Sequence, residues 1–152
     1  MALPTRAGRG DIVLMVNWAG TGTTFTNFCG ASGITLTLNN EIQSENVGDC
    51  LDWTLPVVVV KEYGAQNASA TINGTWAAEN NDDVLLWALE QKKLPVRIHF
   101  VNAAVGKIEY LDGVAMLAST DISDIGNVTG AKVSRALQIE FDGPLTPELA
   151  VA

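Results

Sequence analysis

Residues 131–141 read AKVSRALQIEF and contain the longest alternating pattern in the chain. One face of the pattern is apolar and the other is polar. The apolar positions are Val133, Leu137, Ile139 and Phe141, and the polar ones are Lys132, Ser134, Gln138 and Glu140. A period of two residues is typical of a β-strand that buries one face. Gly143 and Pro144 predict that the strand ends there.

Shorter segments that precede this stretch have the same rhythm or a β-prone composition. They are residues 11–17, 24–29, 34–38, 56–63, 69–77, 96–101, 107–110 and 113–119. The four valines at 57–60 predict a strand that is buried on both faces or covered by a partner. Asp112-Gly113 predicts a turn or bulge between the last two segments, and residues 120–130 predict a polar connection.

One segment departs from the β pattern. Residues 81–93, NDDVLLWALEQKK, can be capped by Asn80 or Asn81, and the acidic pair 82–83 and the lysine pair 92–93 favour the two helix ends. The order of strands, helix and strands predicts a mainly β fold, sandwich-like or barrel-like, with this short helix packed on it. With 152 residues the chain is expected to form a single domain, 1–152.

Three segments lack a clear period. Residues 1–10 are predicted to form a flexible N-terminal arm, and residues 145–152 an apolar C-terminal tail. Residues 40–55 carry four acidic side chains and no basic one, so we expect a long exposed loop or hairpin tip that is acidic and mobile. A loop of that length inside one domain is usually functional or disordered.

The net charge of −8 argues against a protein that grips nucleic acid, because phosphate binding needs clustered Lys and Arg. It does not argue against a channel through which nucleic acid slides. No run of 18 apolar residues and no signal peptide is found, so we expect synthesis in the cytoplasm and no membrane insertion by this chain.

Catalytic residues are hard to assemble from this sequence. His99 is the single histidine and falls within a predicted strand, and Cys29 and Cys50 are far apart without metal-ligand spacing. Carboxylates that could pair as in a glycosidase are Glu109, Asp112, Asp121 and Asp124. Residues 121–127 do not match a calcium loop, which favours turn chemistry. We therefore expect no enzyme, no cofactor and no metal.

The serial order of these segments resembles the major tail tube proteins of long-tailed (siphophage-like) bacteriophages. The resemblance covers about residues 8–146, and residues 110–119 and the last strand with its ending weigh most. The segments that carry it are 10–16 (GDIVLMV), 33–38, 53–56 (WTLP), 69–76, the acidic pair 82–83, 96–101, 110–119 (YLDGVAMLAS) and 131–146. Residues 56–60 are more apolar than the family pattern, and the cysteines are not a family mark.

The resemblance implies rings, usually hexameric, that stack into a hollow tube lined by a continuous β-barrel. The helix would pack outside it, and DNA would pass through the lumen without specific binding. The loop at 40–55 and the N-terminal segment at 1–10 would reach adjacent rings. Inter-ring contacts are therefore expected at Arg6, Arg9, Glu41, Glu45, Asp49, Asp52 and Trp53. The implied partners are further copies of the chain, the tape measure, the terminator and the baseplate or tip, in a virion tail made in the host bacterium.

Three other functions remain open from the sequence. A tail terminator or a secretion-system ring would share the fold. A carbohydrate-binding or adhesin-type β-sandwich could use Trp18, Trp53 and Trp76 as sugar platforms. An enzyme would have to use His99 or a pair of carboxylates.

Overall fold

A computed structural model describes residues 3, 5–6, 8, 10–28, 31–77, 79–130 and 132–152 of the chain. Within them the chain forms seven strands and one helix. These are β1 (Ile12–Val16), β2 (Thr26–Asn27), β3 (Ala31–Val47), β4 (Val58–Thr75), α1 (Asn81–Glu90), β5 (Lys93–Phe100), β6 (Ile108–Ser123) and β7 (Ser134–Leu149). The mainly β fold with one helix is confirmed.

All strands belong to one antiparallel sheet in the order β2-β1-β5-β6-β7-β4-β3. The long strands β6 and β7 connect its two halves, and their pairing shifts register between Asp112 and Val114. Gly113 lies at this irregularity, where an added Cβ would approach the side chains of Leu145 and Phe141 to 2.6 and 2.9 Å. The bulge and the close packing bend the sheet here, and residues from β1, β5, β4 and β7 then share one core.

The core takes alternate residues from each contributing strand, as the period of two predicts. On β7 the buried residues are Arg135, Leu137, Ile139 and Phe141. The helix closes the core with Val84 and Trp87, which are 0% and 1% exposed. Trp87 meets Trp18 edge to face, with ring centroids 5.9 Å apart.

The helix is shorter than the predicted 81–93. It ends at Glu90, where Gln91 adopts a left-handed conformation with φ 52°. Trp87 Nε1 donates a hydrogen bond to the Lys92 carbonyl oxygen over 2.8 Å, which holds the chain as it enters β5 at Lys93. The two lysines therefore follow the helix instead of forming its last turn.

Of the two alternatives for residues 40–55, a long loop and a hairpin tip, the structure shows the hairpin, and the prediction of a loop is wrong for its first half. β3 continues to Val47 and pairs with β4 from Val58 onward, so only residues 48–57 connect the strands. Both faces of this hairpin are exposed. With neither face buried, the sequence has no reason to alternate, and the pattern that marks a strand is missing.

The C-terminal tail at 145–152 is also mostly strand. β7 continues past Gly143 to Leu149 and pairs with the first residues of β6. The Ala150 amide then donates to the Lys107 carbonyl oxygen over 2.8 Å. The predicted N-terminal arm, 1–10, lies only partly within the described residues.

Candidate assembly surface

A long hairpin extends from the sheet and is called the arm here, defined as residues 41–64. It begins at a register shift where Asn40 pairs with Gln66 and Ile42 pairs with Tyr63. β7 pairs with β4 only from Ser69 to Thr75, so the arm projects past its neighbour in the sheet. None of the arm residues is buried. The rest of the described chain is called the body.

The end of the arm, residues 48–57, is ordered by two carboxylates and is called the tip. Asp49 Oδ1 accepts hydrogen bonds from the amides of Leu51 and Asp52 over 2.7 and 2.9 Å. Asp52 Oδ1 accepts from the Thr54 amide and hydroxyl over 2.9 and 2.6 Å. These bonds favour the charged carboxylates and hold the pKa of both aspartates below the ordinary value.

The ordered tip presents large apolar side chains to solvent. Leu51 is 97% exposed and Trp53 is 90% exposed. The valines at 57–60 are also exposed, and alternation along β4 places Val58 and Val60 on one face and Val59 on the other. Several large apolar side chains exposed at one end of a molecule are typical of an interaction site. The sequence offered two interpretations of the four valines, burial on both faces or cover by a partner. They are not buried within this chain, so cover by a partner stays a prediction.

The two faces of the arm differ in charge. Residues that are paired across an antiparallel ladder share a face, so the pairs Gln43–Glu62 and Glu45–Val60 place two acids together, and Glu41 follows by alternation. The opposite face carries Ile42 with Tyr63 and Ser44 with Lys61. One face therefore carries the acids of the two strands, and the other carries the arm's single base, Lys61.

The acidic face continues onto the body as a polar surface. It comprises the polar residues among the positions of β3, β4, β7 and β6 that point away from the core. Their side chains are hydroxyls, amides and carboxylates: Thr35, Thr37, Asn39, Asn67, Ser69, Thr71, Gln138, Glu140, Ser119, Asp121 and Ser123. We call these positions the polar face. None of them is Lys or Arg, but Lys93 on β5 shares this face, because it pairs with Met116, which pairs with Glu140.

The structure brings five of the seven predicted contact residues together on the arm. Glu41 and Glu45 lie on its acidic face, and Asp49, Asp52 and Trp53 form the tip. Arg6 is exposed in the N-terminal segment, apart from the strands, and Arg9 lies outside the described residues. Leu51 and Tyr63 are also exposed on the arm, and the sequence did not predict either of them as a contact residue. Their signal is a large apolar side chain within an acidic stretch.

The residues considered for catalysis have structural partners instead. His99 Nε2 lies 3.5 Å from Glu109 Oε1, and its ring stacks on Tyr110 with centroids 4.6 Å apart. Arg97 donates from Nε and Nη2 to the two oxygens of Asp112 over 2.7 and 3.1 Å. The Asp112 carboxylate raises the pKa of Arg97 above its ordinary value.

The described residues give little support to the two ligand classes considered above, metal ions and sugars. They contain no group of His, Cys, Asp and Glu side chains that could hold a metal ion. Trp18 packs on the rings of Phe28 and Trp87, and the guanidinium of Arg135 lies 5.9 Å from the Trp76 ring centroid. Of the three proposed sugar platforms, only Trp53 presents a free ring. No helix in the described ranges is long and apolar enough to cross a membrane.

Comparison with known proteins identifies the family. Residues 7–147 match the family model described as phage tail tube protein. The chain belongs to this family. The resemblance seen in the sequence is thereby confirmed, and this tail tube protein is a structural component of a phage tail. No curated protein sequence matches the chain.

Solved tail structures share the fold of this tail tube protein. One is the tail of an empty gene transfer agent (GTA) particle solved with C6 symmetry, with 15% identity, a TM-score of 0.72, and coverage of 94% of this chain and 99% of that chain. The SPP1 tail tube has 12% identity and a TM-score of 0.63, covering 97% of this chain and 81% of that one. The anti-feeding prophage tube-terminating cap has 12% identity and a TM-score of 0.63, covering 99% and 95%.

Proposed function

We propose that this tail tube protein assembles into rings, that the rings stack into a hollow tube, and that DNA passes through the tube. The observation that carries the proposal is the arm, which is ordered as a hairpin but exposes Leu51 and Trp53 almost completely. Burial of apolar surface drives most protein association. A second copy of the chain is the partner that every subunit of a tube meets.

Two free strand edges support lateral closure of a ring. β3 is the last strand of the sheet, and its outer edge has no partner among the described residues. β5 pairs with β6 only up to Met116, so residues 117–123 of β6 pair with β7 alone in the described part of the chain. Joining β3 of one copy to β6 of the next is a heterologous contact, and a heterologous contact that closes gives a ring. The C6 symmetry of the similar GTA tail supports six copies.

The same two edges bound the polar face, so lateral pairing would extend that face around the ring. It carries the carboxylates of Asp121 and Glu140, and Lys93 at its β5 border is paired with Asp142 over 2.9 Å. A surface with a net negative charge repels phosphate groups. We assign this face to the lumen, where DNA slides without being held.

The arm is assigned to contacts between rings. Its projection past β7 takes the tip beyond the body of its own subunit. Trp53 would be the main apolar anchor, since aromatic residues dominate interface energies. Glu41, Glu45, Asp49 and Asp52 would meet polar groups of the next ring, and Arg6 and Arg9 would contribute from the N-terminal segment.

The remaining assignments follow from a place in the tail. The partners are further copies of this chain, the tape measure inside the tube, and the terminator and baseplate or tip at its ends. The chain has no catalytic role, uses no cofactor, and is made in the cytoplasm of the host bacterium before it joins the virion.

Negative-stain electron microscopy of the purified protein across a concentration series tests the proposal. We expect rings or hollow tubes of constant diameter. The matched variant replaces residues 43–62 with Asn-Gly, because Ile42 and Tyr63 are paired and a two-residue turn can join them. This variant lacks the tip and should form rings without tubes, while the body keeps its melting temperature.

Two results would contradict the proposal. One is a wild-type protein that stays monomeric at every concentration, also under crowding. The other is a shortened variant that forms tubes as long as those of the wild type, since the arm would then have no role between rings.

A further inference from the structure

An apolar groove opens beside the outer edge of β3. It has a volume of about 560 Å³ and lies between the two halves of the bent sheet. β1 and β5 form one wall with Leu14, Ile98 and Phe100, and β3 and β4 form the other. β2 pairs only with Met15 and Val16, so the first part of β1 leaves the groove accessible. A cavity of this size with apolar walls is typical of a binding site.

A complementary apolar surface lies on the outside of α1. Val84 and Trp87 face the core, whereas Leu86 and Leu89 are 45% and 78% exposed. Residues three apart lie on the same side of a helix, so these two leucines form one outward ridge. An outward pair of leucines does not contribute to the core of its own subunit.

The register of the sheet places the helix over the free edge of β6. β4 ends at Thr75, which is level with Ser134 on β7 and Ser123 on β6. β5 begins at Lys93, which is level with Met116 on β6. The helix bridges these two points and contacts β6, so it lies along residues 116–123.

We infer that the leucine ridge of α1 in one subunit docks in the apolar groove of the neighbouring subunit in the ring. The groove flanks the free edge of β3, and the ridge lies over the free edge of β6. Pairing of those edges brings the ridge to the groove, and the contact of the two edges is then covered by an apolar second layer. The inference rests on the proposed function because it takes the ring as given.

A charge swap tests the docking. Leu89→Glu changes the ridge and Ile34→Lys changes the groove wall, where Ile34 is 41% exposed. Each single variant should keep the wild-type melting temperature and raise the protein concentration needed for assembly roughly tenfold or more, as expected for loss of an interface anchor. The double variant should recover most of the loss, because the new charges would meet across the contact.

Two controls separate this contact from general effects. Gln91→Glu adds the same charge at an exposed position just beyond the helix, and Leu89→Met keeps the ridge apolar. Both should assemble like the wild type. Sedimentation velocity measures the ring fraction and circular dichroism the fold.

The outcomes distinguish this inference from the function on which it rests. If the wild type forms rings and Leu89→Glu forms them at the same concentration, the docking is overturned and the proposed function stands. The docking also fails if the double variant assembles no better than the weaker single variant. If the wild type forms no ring at all, both proposals are overturned.

Discussion

The arm and the body share two strands but differ completely in burial. Along β4, every residue from Val58 to Asn67 is exposed, whereas Ala68, Ala70 and Ile72 are buried. The first buried residue, Ala68, comes four residues after Gly64 in the bulge, where an added Cβ would come within 3.1 Å of the Glu41 and Gln43 side chains. One continuous strand thus serves the stability of the monomer at one end and the contact with a partner at the other.

The two regions bury their apolar side chains in different processes, the body on folding and the arm on association with another chain. Apolar side chains of the body leave water when the monomer folds, and those of the arm remain in water until another chain covers them. Changes in the body should therefore lower the free energy of unfolding. Changes in the arm should leave it almost unaltered and act on assembly.

The largest effect on the monomer is expected for Trp87→Ala. The ring is 1% exposed, packs on Trp18, and donates to the Lys92 carbonyl oxygen. Its removal should lower the free energy of unfolding by about 3–5 kcal/mol, as for other buried aromatic residues. Urea denaturation measures the loss, and Trp87→Phe, which keeps most of the packing, should lose clearly less. Equal stability of wild type and Trp87→Ala would contradict the assignment of this helix to the core.

A smaller loss is expected for Gly113→Ala at the bend of the sheet. The new methyl group would approach Leu145 Cδ2 to 2.6 Å, so the side chains must shift. Overpacking of this kind costs about 1–3 kcal/mol. Gly33→Ala is the matched control, since nothing lies within 4 Å of its added Cβ. Thermal denaturation of both variants would show whether the bend depends on this close approach; an unchanged melting temperature for Gly113→Ala would refute it.

The body could be predicted from the sequence because burial leaves a period in it. β7 buries Arg135, Leu137, Ile139 and Phe141 in alternation, and three of these four define the apolar face read from residues 131–141. The helix was found from its acidic first turn and apolar middle. The helix ends three residues earlier than predicted, because Gln91 takes the left-handed conformation that glycine usually marks in a sequence.

The arm could be predicted only in part, for the opposite reason. Both of its faces are exposed in the monomer, so no alternation marks β3 beyond Leu38 as a strand. The acids at Asp49 and Asp52 indicated a polar loop, although they organise a tight turn. The valines at 57–60 pointed to a partner, but the register that pairs them with β3 depends on the bulge at Gly64, which the sequence does not specify.

Trp53→Ala separates the arm from the body most sharply. Because the ring is 90% exposed, the free energy of unfolding should change by less than about 0.5 kcal/mol. Contacts between rings should weaken by more than about 1 kcal/mol, which raises the concentration needed for tube growth several-fold. Electron microscopy and light scattering against concentration measure this, with Trp53→Phe as the control that keeps an aromatic anchor. Unchanged tube growth in Trp53→Ala would show that the tip is not the anchor.

The smallest effect is expected from acid at the tip. The amides of Asp52 and Leu51 favour the charged form of Asp49, and the hydroxyl and amide of Thr54 favour that of Asp52, so both folded pKa values lie below the ordinary 3.8. The order they give to the tip is therefore complete above about pH 3.8 and is lost as the pH falls through the lower, folded pKa values. The Leu51 and Thr54 amide signals in NMR should shift with midpoints below 3.8, and Asp49→Asn should abolish the shift at Leu51 alone. Midpoints at or above 3.8 would mean that the two carboxylates do not hold the turn, and the exposed Trp53 would then need its partner for order as well as for burial.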